Sequence, residues 1–281
     1  MPLESLVPML GRAQSEGFAV GAFDILTLEG AEAVLEVAEE EHSPVILAVA
    51  EQHLDVVRLE TISHCLVAMA RRSTVPVCLH LDHGVTLPTI MRALRAGFSS
   101  VMFDGSALSF EENSSRTAEL VEICRPVGVS VEAELGHIGD PGQDVVTEDM
   151  LTSVAEAQAF VGQTGVDALA VAIGTVHGLY RSEPRLSFDR LRGLREAVDV
   201  PLVLHGGTGL SAEDFRRCVE GGITKINFYT GIAVAVCREL RTLLTDQPDL
   251  YDYGKVVHCE RAAVKGVVRE HIRIFGSAGR A

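Results

Sequence analysis

A strand-like segment followed by a helix-like one recurs eight times along this chain, with no linker and no break in composition between repeats. Apolar runs at Phe18–Phe23, Pro44–Ala50, Val77–Leu81, Ser100–Phe103, Val129–Glu134, Ala168–Ile173, Pro201–Leu204 and Lys225–Phe228 read as strands. Between them run segments with helical spacing. Leu28–Glu41 places Leu28, Ala31, Leu35 and Ala38 on one face, and Leu59–Arg71 carries an Ile62–Leu66–Met69 stripe. Pro88–Ala96 is closed by Gly97 and Phe110–Arg125 is stopped by Pro126. Val154–Thr164, Phe188–Val198, Ala212–Gly221 and a helix from Thr230 to about Leu244 complete the series. Eight βα units in about 245 residues predict a (β/α)8 barrel. A doubly wound sheet is the alternative, and eight regular units favour closure. The expectation is one domain over 1–281, with an extra helical tail at about 249–275.

Length and charge agree with that fold and narrow the partners. A chain of 281 residues is usual for one α/β barrel. The net charge of −15 argues against nucleic acid or an anionic membrane as partner, but not against an anionic ligand held in a local site. The N-terminus MPLESLVPML has no basic segment typical of a secretory signal, and no apolar run reaches the roughly 18 residues needed to cross a bilayer. Six cysteines are scattered without a CxxC pair. They read as free thiols in a reducing, cytoplasmic setting rather than as a zinc site.

In a barrel all strand C-termini open onto one face, where active sites lie. That rule collects Asp82 and His83 after the third strand, Asp104 after the fourth, Glu134 at the fifth, His177 after the sixth and His205 after the seventh. A single histidine is more often a satisfied polar residue than a ligand. Three from separate strands, with acidic residues between them, suit a catalytic metal with an open coordination position. Because consecutive strand residues point to opposite faces, Asp82 and His83 are expected in the turn that opens with Gly84. His42, His53, His64, His258 and His271 read as structural or surface residues. HGGTG at 205–209 and KINFYTG at 225–231 add glycines and a helix start, which suit a phosphate.

The stretches GFAVGAFD, HLDHG, VEAELG, AIGTVHGLY, LHGGTGL and KIN, taken in order from Gly17 to Asn227 with the terminal GSAGRA, resemble the class II, metal-dependent ketose-bisphosphate aldolases, and among them the tagatose- and fructose-bisphosphate branch. The resemblance implies a lyase of carbohydrate metabolism. It would cleave a tagatose- or fructose-1,6-bisphosphate-like ketose to dihydroxyacetone phosphate and an aldehyde. It also implies one catalytic Zn2+ on His83, His177 and His205, with Asp82 as the catalytic proton donor. Asp104 and Glu134 would offer a second metal position, and a monovalent cation is a further expectation. Gly178, Gly206, Gly207, Thr208, Asn227, Phe228, Tyr229 and Thr230 would hold substrate, and Arg280 the distal phosphate, in a neighbouring subunit of a homo-oligomer, dimeric or tetrameric. A tail helix left over from a closed barrel also needs a surface, which points to the same oligomer.

The chain departs from the family pattern at several places. GDPGQD stands where GGxED is usual, so the family's lid glutamate aligns with Gly142, and Asp140 or Asp144 becomes the candidate for its proton work. FDILT replaces FNVNN, Ala50 stands where a serine is usual, and Tyr229 replaces a small residue or Asp. These changes fall on the aldehyde half of the substrate. Two alternatives follow from the residues: a Schiff-base aldolase using Lys225, and a non-catalytic sugar-phosphate-binding or assembly subunit.

Overall fold

In the computed structural model, which describes residues 3–139 and 147–281, eight parallel strands close into a barrel in sequence order. They are β1 (Val20–Asp24), β2 (Val45–Ala50), β3 (Val77–Gly84), β4 (Ser100–Phe103), β5 (Ser130–Leu135), β6 (Ala168–Val171), β7 (Leu202–Leu204) and β8 (Ile223–Phe228). The helices are α1 (Leu6–Glu16), α2 (Leu28–Glu40), α3 (Leu59–Arg72), α4 (Leu87–Ala96), α5 (Phe110–Cys124), α6 (Val154–Thr164), α7 (Phe188–Ala197), α8 (Ala212–Glu220), α9 (Thr230–Asp246) and α10 (Tyr253–Ile274). The fold is the expected (β/α)8 barrel with extra C-terminal helices. Several helices start on hydroxyl caps: Thr27, Thr86, Ser109, Ser153, Ser187 and Ser211 each accept an otherwise free N–H of the first turn. All six cysteines are free. Among the described residues no helix is long and apolar enough to cross a membrane.

The period-two pattern of the strands sorts their side chains between two cores. Leu47, Leu79, Val101, Val131, Leu169, Leu202 and Ile226 face outward and pack under the helices. Val20, Ala22, Ile46, Cys78, Met102, Ala168, Ala170 and Val203 face the barrel axis. The axis-facing cluster also takes in Leu6, Met9, Leu10 and Ala13 of α1, so this helix closes the N-terminal end of the barrel. The sequence reading did not include α1. Its apolar face is short and precedes the repeating pattern, and only the open barrel end gives it something to cover. Leu6 N–H donates to Ser130 Oγ (2.8 Å) and Glu4 N–H to the Val77 carbonyl (2.8 Å), which fix the plug to strand ends.

The tail helix finds its surface within its own chain. α10 lies along α2 and α9 and buries Ala263, Val264, Val268 and Ile272, with Phe275 just beyond its end. Along its margin Arg261 pairs with Glu32 and Glu36, Lys265 with Glu36 and Glu40, and Arg269 and Arg273 with Glu41. The uncovered surface that pointed to a homo-oligomer is therefore covered by α2 and α9. Ile272→Ala should destabilise the protein by about 2–5 kcal/mol, the usual cost of removing a fully buried Ile side chain. Urea denaturation at two protein concentrations checks this. The loss should be the same at both, whereas a helix packed between copies would give a concentration-dependent midpoint.

Candidate active site

The C-terminal mouth of the barrel holds a cavity of about 660 Å³. It is lined by Asp24, Asp82, His83, Asp104, Glu134, His177, Gly178, His205, Gly206, Gly207, Thr208, Asn227, Tyr229 and Thr230, together with Glu51, Gln52, His53 and Ser106. The rim residues expected from strand ends meet there, although they come from five βα units.

Asp82 and His83 reach the mouth by a route different from the one expected. Strand β3 runs through both residues to Gly84 and does not give way to a turn before them. His83 has φ 44°, a left-handed conformation rare for a residue with a side chain. The pairing of β3 with β4 shifts between Leu81 and Gly84 at the same point. This bulge breaks the alternation, so consecutive residues enter one cavity.

The three histidines converge. Atoms of His83, His177 and His205 able to bind a metal lie within 4.8 Å of one another, and so do those of His83, Asp104 and Glu134. His83 Nδ1 sits 2.7 Å from Asp104 Oδ2, and His205 Nε2 sits 3.0 Å from Glu132 Oε1. If each of these nitrogens donates to its carboxylate, the nitrogens left with lone pairs are His83 Nε2 and His205 Nδ1. Those two face each other at 3.0 Å. Two facing lone pairs require a cation between them, either a proton or a metal. Nitrogens bound tetrahedrally at about 2.0–2.1 Å from zinc lie about 3.3 Å apart, close to what is found. The donor set therefore fits a zinc-type ion.

Without such an ion the proton resides on His83. Burial disfavours its charged form, but Asp82, Asp104 and Glu134 outweigh burial and push the imidazole up to about 10. Metal entry must displace that proton. His205 is held neutral by burial and by the neighbouring His83.

The loops carrying the other two histidines are braced. His177 N–H donates to the Gly139 carbonyl (2.8 Å), and Gly139 N–H donates to Thr175 (3.3 Å). The Tyr180 hydroxyl accepts the Val176 N–H (3.2 Å) and donates to the Gly206 carbonyl (2.8 Å), tying the His177 loop to the turn after His205. Gly206 has φ 70°, and a Cβ there would lie 2.5 Å from the Val176 carbonyl oxygen. Only glycine allows this approach.

Carboxyl groups in the mouth differ in ionisation. Burial acts to raise Asp82, but the charge of His83, then that of Lys225, and a hydrogen bond from Asn227 Nδ2 (2.7 Å) outweigh it and hold Asp82 below the usual carboxylate range. Asp104 is also held low, as its bonds from His83 and Ser106 overcome burial. Glu134 is pushed up to about 8 by burial and then by Asp104. Asp24 is likewise pushed up to about 8, by burial and then by Asp82.

Some expected site residues lie elsewhere. Phe228 follows the strand alternation outward, and its ring lies 3.8 Å from that of His271 under α10. Arg280 lies at the end of its own barrel opposite the mouth, paired with Glu16 (3.2 Å) and over the Phe18 ring, whereas the expectation placed it at the site of a neighbouring subunit. Lys225 is fully buried beneath the site, with Nζ 2.8 Å from Glu132 Oε2 and 2.6 Å from Asn227 Oδ1. A Schiff-base lysine must reach the substrate carbonyl, and this one is outside the cavity lining. Asp140, Gly142 and Asp144 lie outside the described residues.

Other functional positions were not anticipated. Glu132 orients His205, and its position two residues before Glu134 on the same strand face was a readable signal. His53, taken for a structural or surface residue, lines the cavity with its ring 4.6 Å from that of Tyr229. Asp24, at the end of β1, lines it too.

Comparison with known proteins agrees with this geometry. Residues 4–280 match the sequence model of the family described as "Fructose-bisphosphate aldolase class-II". The chain is 41% identical to the probable fructose-bisphosphate aldolase of Bacillus subtilis (strain 168), covering 100% of both chains. It is 41% identical to the fructose-bisphosphate aldolase of Geobacillus stearothermophilus, covering 100% of this chain and 99% of that one. Among solved structures, the YdjI aldolase from Escherichia coli K12 superposes with a TM-score of 0.89 at 37% identity, covering 99% of each chain. The chain belongs to the class II fructose-bisphosphate aldolase family and is, as a member of it, an aldolase, a carbon–carbon lyase.

Proposed function

We propose that the protein catalyses the zinc-dependent, reversible aldol cleavage of a ketose phosphate into dihydroxyacetone phosphate and an aldehyde. The observation that carries this reading is the meeting, in one cavity, of the facing nitrogens of His83 and His205 with the carboxylate of Asp82. Zinc on His83, His177 and His205 would supply a Lewis acid for the ketone oxygen and for the charge that develops there when the C3–C4 bond breaks.

The chain's own residues account for the rest. Asp82 is 2% exposed and held ionised, so it is set to take the proton of the C4 hydroxyl as that carbon becomes the aldehyde. The electron pair of the C3–C4 bond stays on C3, which takes a proton to give dihydroxyacetone phosphate. In condensation Asp82 returns its proton to the new hydroxyl. Asn227 keeps the carboxylate aimed by donating to Oδ1, and Lys225 in turn donates to Asn227. Backbone around Gly178, Gly206 and Gly207, with Thr208 and Thr230, forms the anion-binding side of the cavity. There α9 starts, and Thr208 Oγ1 accepts the Gly231 N–H (2.9 Å). Asp104 and Glu134, beside His83, support a second metal position.

Dialysis against a chelator should abolish release of dihydroxyacetone phosphate from fructose or tagatose phosphates, and added zinc should restore it. Turnover that persists in protein shown by elemental analysis to be metal-free would defeat the zinc assignment. Asp82→Asn should lower turnover by about 10²–10⁴-fold, the range for losing a general acid or base, with zinc content near wild type. His83→Ala should lose zinc and turnover together. Parallel metal analysis and rate measurement on the two variants separate the roles. Near-normal cleavage by Asp82→Asn would remove it as the proton carrier.

A further inference from the structure

The cavity has two chemically different sides. On the side of β6, β7 and the start of α9 it presents Gly178, Gly206, Gly207, Thr208 and Thr230, which offer backbone N–H groups and hydroxyls. On the side of β1 and β2 it presents Asp24, Glu51 and His53, with Tyr229 at the junction of β8 and β1. This second wall carries carboxyl, imidazole and phenol groups. Among the described residues lining the cavity there are five carboxyl side chains and no lysine or arginine. Residues 140–146 read DPGQDVV and add no basic side chain by sequence.

The basic groups elsewhere do not change this. Lys225 lies below the floor, held by Glu132 and Asn227. Arg280 lies at the far end of the barrel against Glu16. Glu51 is committed to the N-terminus of α4, accepting the Val85 and Thr86 N–H groups and the Thr86 and Thr89 hydroxyls. A second phosphate dianion against this wall would meet the Asp24 and Glu51 carboxyl groups and no lysine or arginine of the same chain, a poor electrostatic match.

Hydroxyl groups fit the same wall. Asp24 Oδ1 and His53 Nδ1 are shielded from solvent, and neither has a hydrogen-bond partner. Both residues line the cavity beside the Tyr229 ring. Buried polar atoms of this kind are ordinarily satisfied, so two together mark a place where a ligand completes the bonding.

Building on the aldolase reading above, we infer that the aldehyde half of the substrate is an uncharged polyhydroxylated chain bound by Asp24, His53 and Tyr229. The preferred substrate is then a ketose 1-phosphate and not a 1,6-bisphosphate. The test uses the zinc-supplemented full-length protein. Release of dihydroxyacetone phosphate is measured from fructose and tagatose 1-phosphates and from the matching 1,6-bisphosphates. The kcat/KM for the 1-phosphates should exceed that for the bisphosphates by about 100-fold, and the gap should narrow as salt screens the repulsion. Asp24→Ala should raise KM for the 1-phosphate by about tenfold while changing kcat much less. Equal or better use of the bisphosphates overturns the inference and leaves the aldolase reading standing. A fall in kcat with KM unmoved removes Asp24 from the subsite and overturns the inference as stated. No release from either set by zinc-bound protein overturns the aldolase reading and the inference together.

Discussion

One buried carboxylate, Glu132, connects the interior of the barrel to its mouth. It is fully buried, receives Lys225 Nζ on one side and accepts from His205 Nε2 on the other. Lys225 then donates to Asn227, and Asn227 donates to Asp82. The ionic layer thus sets the tautomer of His205 and the aim of Asp82 together. An ion pair this deep stabilises the fold little, because the loss of hydration offsets the attraction. Removing one partner would still be costly, because the other would be left charged and unpaired. The layer is best understood as orientation that the fold sustains through its two apolar cores.

Below this layer the barrel is apolar and closed by α1, and above it the side chains become those of the site. His80 marks the boundary. It is fully buried and neutral, through burial and then the charge of Lys225, and its Nδ1 pairs with Ser100 Oγ at 2.8 Å. The polarity gradient follows from strand alternation: the inward residues change from aliphatic (Ala168, Val203) through ionic (Glu132, Lys225) to those lining the mouth.

Much of this was legible in the sequence because it depends on periods and strand ends. The eight repeats follow from period, and the meeting of the three rim histidines with Asp82 follows from the rule that functional side chains gather where barrel strands stop. What was not legible depends on choices that periodicity does not encode. The bulge at His83 is a single backbone angle. The site of Phe228 followed from alternation, while the motif placed it among substrate-binding residues. Arg280 and the tail depend on where the last helix docks, which is set by its match with the glutamates of α2. Asp24 and His53 acquire meaning only once β1 and β2 are known to stand beside the mouth.

The left-handed residue in β3 has a further consequence for how the site tolerates motion. Catalytic groups on separate loops change their spacing whenever a loop fluctuates. Here Asp82 and His83 are joined by one peptide bond within a paired strand, with Asp82 Oδ2 3.8 Å from His83 Nε2. The separation between Asp82 and His83 is therefore a covalent dimension, nearly independent of loop position. That spacing does not depend on the position of the loop bearing His177.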